Sequence, residues 1–61
     1  MGVVYESELK HAWELYYNGV NAEGSQKKHY LQQAMRILNG IPQGYGNSDE
    51  LRKRIKPMLW N

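Results

Sequence analysis

Few residues in this chain combine a type and a spacing that could do chemistry, and the most suggestive are Glu8 and His11. Three residues apart on a helix, they would share a face, as in one half of a carboxylate-bridged di-iron site in a helical bundle. Such a site needs further Glu-bearing helices, and the sequence holds no second Glu-x-x-His. The two are read as an exposed polar pair, and no metal or other cofactor is expected. His29 follows Lys27 and Lys28 and could change charge near physiological pH; an ordinary surface imidazole is the preferred reading. Ser7, Ser25 and Ser48 are explained as residues that begin helices, so no nucleophile with its base stands out. Gly40–Gly46 superficially suggests a phosphate loop. It lacks the preceding strand and the Gly-Lys-Ser/Thr ending that would aim backbone donors and a lysine at a phosphate. An enzyme is not expected.

Two patterns point to binding. Arg52-Lys53-Arg54-x-Lys56 concentrates positive charge, and with Lys27 and Lys28 it could contact phosphates of nucleic acid, each contact adding salt-dependent affinity. The same run, late in a helix, also complements the helix dipole. About nine residues precede its helix, whereas a helix-turn-helix uses a turn of about 3–4. The second pattern is aromatic: five Tyr, two Trp and no Phe. Tyr and Trp suit half-buried and interfacial positions, and together with Arg they are the usual anchors of protein interfaces.

Length and charge frame both patterns. Sixty-one residues make one domain, residues 1–61. The absence of cysteine excludes a disulfide scaffold and a thiolate metal site. A chain this short buries only about 60% of its unfolded surface, so docking on a partner or a second copy is the favoured supplement. The net charge of +2 hides an asymmetry. Residues 1–26 carry one lysine against four glutamates, and residues 27–61 carry seven basic against two acidic side chains. That split favours an acidic partner or head-to-tail self-association. No apolar run reaches the roughly 20 residues of a membrane span, and the N-terminus lacks the basic and apolar regions of a secretory signal. A soluble cytoplasmic protein without membrane contact is expected.

Apolar spacing predicts three helices to hold these groups. In the first, Tyr5, Leu9, Ala12, Trp13, Tyr16 and Val20 share one arc, Tyr17 sits at its edge and Leu15 falls well outside. Asn18-Gly19 is the expected stop. The second begins after a Ser25 cap, runs to about Leu38 and stops at Asn39-Gly40. Its stripe of Leu31, Ala34, Met35 and Leu38 is widened by Tyr30 and Ile37 to roughly 160°, so it should touch two neighbours. The third is capped by Asn47 or Ser48 and carries Leu51, Ile55, Met58 and Leu59. Pro57 should kink or stop it near Lys56.

The expected fold is all-α, a small three-helix domain in which an antiparallel helical hairpin is closed by a short third helix. Ala12-Trp13-Glu14-Leu15-Tyr16-Tyr17, followed by a helix containing Ala34, resembles a single tetratricopeptide helical pair. That resemblance implies helix-hairpin packing and no particular function. The expected function is that of an interaction or regulatory module binding a protein partner or itself, through the partly exposed Leu15, Tyr17, Ile37 and Trp60. The alternative is a nucleic-acid-binding accessory protein using Lys27, Lys28, Arg52, Lys53, Arg54 and Lys56.

Overall fold

The computed structural model describes residues 5–59. Three helices follow one another: α1 (Glu6–Asn21), α2 (Ser25–Asn39) and α3 (Ser48–Leu59). No strand occurs among the described residues. α1 and α2 pack along each other, the three-residue link forcing them antiparallel, and α2 also touches α3. α1 and α3 meet only slightly, so α2 is the central element, as its wide apolar arc requires.

α1 places Glu6 and Glu8 in its first turn, where carboxylates complement the positive end of the helix dipole. It does not stop at Asn18-Gly19 but continues to Asn21. Gly19 is buried inside the helix against α2. A Cβ built there would lie 2.9 Å from Cδ2 of Leu31 and 3.3 Å from Cβ of Tyr30. The glycine is needed for close approach of two helices, not for a left-handed turn. The chain leaves the helix at Ala22, whose backbone is extended. Asn21 donates its side-chain amide to the Tyr17 carbonyl over 3.0 Å.

The core-facing arc of α1 is also rotated from the expected one. Its buried positions are Ala12, Leu15 and Gly19, with Leu15 only 7% exposed, while Val20 is 43% exposed. The physical reason is that the small residues Ala12 and Gly19, not the large aromatic ones, set the line along which α1 approaches α2. Its small residues admit α2 closely and carry Leu15 into that contact. Leu9, Trp13 and Tyr16 pack half-buried against the core from the adjoining flank.

Gly24 precedes α2 at φ 65°, which a glycine reaches without strain. Ser25 is the first helical residue and makes no cap bond. The second stop falls where expected, but Gly40 is right-handed at φ −87°. The Leu38 carbonyl accepts the Ile41 N–H and takes a second donor from α3: Arg52 reaches back and donates to the carbonyls of Leu38 and Ile41. The following loop is folded on itself. Ile41 is buried, Tyr45 N–H donates to Pro42 O and Ser48 N–H to Tyr45 O. The Tyr45 ring meets that of Tyr5 edge-on, with centroids 5.4 Å apart.

α3 has Asp49 and Glu50 in its first turn and Lys56 in its last. The Asn47 carbonyl accepts the Leu51 N–H, as an N-cap carbonyl does. Ser48 instead lies inside the helix, with its hydroxyl buried and unbonded. Pro57 neither stops nor ends the helix, which runs on to Leu59. Only the last residues follow it, so the lost donor spoils little of the remaining ladder. Met58 and Leu59 stay half-buried against the core of Ala12, Leu15, Leu31, Ala34, Leu38, Ile41, Leu51 and Ile55.

Candidate protein interface

An aromatic cluster lines one flank of α1. Trp13 and Tyr17, one turn apart, bring their rings to 5.8 Å at 33°. Tyr16 meets Trp13 at 5.8 Å edge-on and Tyr17 at 5.4 Å. Trp13 and Tyr16 are half-buried on the core, while Tyr17 is 56% exposed. Val20, three residues on, extends the exposed apolar surface along the same helix. The inner two rings are fixed by packing, so the outer one is presented on a rigid base.

α3 adds a cation to this flank. The Arg54 guanidinium lies 5.8 Å from the centroid of the Trp13 ring, within cation–π range. It donates to Glu50 at 2.9 Å. A side-chain hydrogen bond with Tyr16 first, and then Glu50, hold its pKa above the ordinary arginine value. The flank therefore presents a cluster of tilted aromatic rings edged by a positive charge.

The four residues expected at a protein interface are dispersed. Leu15 is buried between α1 and its neighbours and is not available as a contact, which corrects the sequence reading. Tyr17 is exposed as expected. Ile37 is half-buried against the core. Trp60 lies outside the described residues. Trp13, Tyr16, Val20 and Arg54 were not singled out for this surface. The i, i+4 spacing of Trp13 and Tyr17 could have signalled the ring contact; Arg54 could not have been found, because it arrives from another helix.

The basic residues are not gathered either. Arg52 is only 16% exposed at its side chain, donating to Asp49 Oδ1 at 2.7 Å and to Ile41 O at 2.7 Å. Asp49 uses its other oxygen to accept the Gly44 N–H at 2.9 Å. The supposed phosphate loop thus donates to its own protein's carboxylate. Lys53 and Lys56 line an open cleft of about 320 Å³ with Gln43, Asp49 and Arg52. Lys27, half-buried, and Lys28, exposed, are on α2 and do not line that cleft. Glu8 and His11 are both exposed, and no group of three metal-ligating side chains occurs among the described residues.

No described helix is long and apolar enough to cross a membrane. The fold is that of a small all-α three-helix domain. No protein-family model matches the chain, and neither a curated protein nor a solved structure matches it.

Proposed function

We propose that the chain is a small helical interaction module that binds a protein surface, a partner's or a second copy's, through the aromatic flank of α1. The observation that carries this reading is the exposed Tyr17 ring seated on Trp13 and Tyr16 beside Arg54. Tyr, Trp and Arg grouped on a rigid base are the residue types that dominate binding energy at protein interfaces. Covering this flank would also supplement a core built from few residues. The module acts by occupying or occluding a surface in the cytoplasm, and neither a reaction nor a cofactor is part of the proposal.

Nucleic-acid contact by the α3 basic run has less support, because Arg52 and Arg54 are engaged within the molecule. Sedimentation equilibrium and affinity capture, run on nuclease-treated protein, test the proposal. Association with itself or with a captured protein should weaken about tenfold or more in Tyr17→Ser, the size of a lost interface anchor. A strict monomer with no Tyr17-dependent partner would overturn it.

A further inference from the structure

A second face remains unexplained. α2 carries no Asp or Glu in its 15 residues, yet holds Lys27, Lys28, His29 and Arg36 together with three glutamines. Natural surface helices mix both charge signs, so a helix face free of carboxylates in a chain with six elsewhere is a local charge separation. The apolar arc of α2 is turned inward, where α1 and α3 attach. His29, Gln32, Gln33 and Arg36 are all exposed on the opposite side and together line a shallow depression of about 100 Å³. Their spacing is i, i+3, i+4 and i+7, which makes one stripe along two turns.

We propose that this outward face of α2 is a nucleic-acid contact surface that enters the major groove of duplex DNA. Four lines of chemistry converge on that occupant. The stripe is about 10 Å long at 1.5 Å per residue, the rise of about three base pairs. The groove is about 12 Å wide and admits one α-helix. Side-chain amides such as Gln32 and Gln33 pair with adenine, and a guanidinium such as Arg36 pairs with guanine, through the base edges exposed there. Lys28, at the border of the stripe, is placed to meet a phosphate, and no carboxylate of α2 opposes it. Gln33 and His29 are already hydrogen-bonded to each other at 2.9 Å, which holds both side chains in position on the free helix. An acidic protein would find complementary charge here too, and competition by an acidic polypeptide separates that occupant from duplex DNA.

Fluorescence anisotropy with a labelled DNA duplex of mixed sequence tests the assignment on the intact chain. Saturable binding is expected at about 50 mM salt, weakening about 3- to 12-fold by about 200 mM, as the one or two counterions displaced by Lys28 and Arg36 require. Arg36→Ala should weaken binding about tenfold or more, and Lys28→Ala should lower the salt dependence by about one counterion. Lys53→Ala and Lys56→Ala, on the other cleft, should change affinity little. All four substitutions are at exposed positions, so circular dichroism should report an unchanged fold. Absence of binding at about 50 mM salt would overturn the proposal. So would equal losses from the α3 lysines, a preference for single strands, or competition by polyglutamate as effective as that by unlabelled duplex.

Discussion

At the scale of single residues, Arg52 joins more of the molecule than any other polar side chain described. Its guanidinium ties the end of α2, the buried Ile41 and the first turn of α3 into one network, with Asp49 and the Gly44 amide completing it. One Nη of the planar guanidinium serves the carbonyls of Leu38 and Ile41 while the other donates to the Asp49 carboxylate. Arg52→Ala should therefore cost about 1.5–3 kcal/mol of folding stability, the range for bonds made by a charged donor. Arg52→Lys should recover less than half, because an ammonium is a point charge and not a fork. Chemical denaturation of the two variants checks the order. Nothing local in the sequence announces this role. The acceptors at 38 and 41 lie 14 and 11 residues upstream, and only Asp49, three residues before Arg52, is a sequence-near partner.

At the scale of elements, the helices were legible from apolar spacing, but the use of their faces was not. The apolar arc of α1 excludes Leu15 and retains Val20 because it centres on the large side chains. The closest line of contact with α2 instead follows the small residues Ala12 and Gly19, and Leu15 falls between them. Gly19 makes this testable. Glycine-to-alanine changes inside a helix ordinarily gain about 1 kcal/mol. Here the added methyl would lie 2.9 Å from Cδ2 of Leu31, a fully buried side chain that must shift to admit it. Overpacking of about 1–3 kcal/mol should outweigh the gain, so Gly19→Ala should lower the melting temperature, and Gly19→Val should lower it further. Pro57 argues the opposite way. Sequence reasoning gave it the power to stop α3; the helix instead carries it in its final turn and leaves the Lys53 carbonyl without its ladder donor. Restoring that donor with Pro57→Ala should stabilise by about 1 kcal/mol, or about 4–8 °C in a domain of this size. A lower melting temperature would show instead that the proline's restriction of the unfolded chain outweighs the lost bond.

At the scale of the whole molecule, the three-helix hairpin architecture was readable because α2 is apolar on two sides and must be covered on both. Tyr30 and Ile37 are indeed half-buried flanks of a stripe whose centre, Leu31, Ala34 and Leu38, is fully covered. The assembly of Trp13, Tyr16, Tyr17 and Arg54 was not readable, since it depends on how α3 lies against α1. A chain with so small a core gains most from whatever covers the remaining apolar flank. If a second copy does so, thermal stability must rise with concentration, because any ligand that binds only the folded state adds RT ln(1 + [L]/Kd). At about a hundred times Kd this is about 2.7 kcal/mol, which corresponds to a melting temperature higher by about 10 °C or more. Tyr17→Ser should lower the dilute melting temperature only modestly, by about 4–8 °C for about 1 kcal/mol of lost contact with Trp13 and Tyr16, because more than half of that side chain already faces solvent. It should flatten the concentration dependence. If the wild-type protein melts at the same temperature at every concentration, a second copy does not cover the flank, and the upward shift should then appear only on adding a different protein and vanish in the same variant.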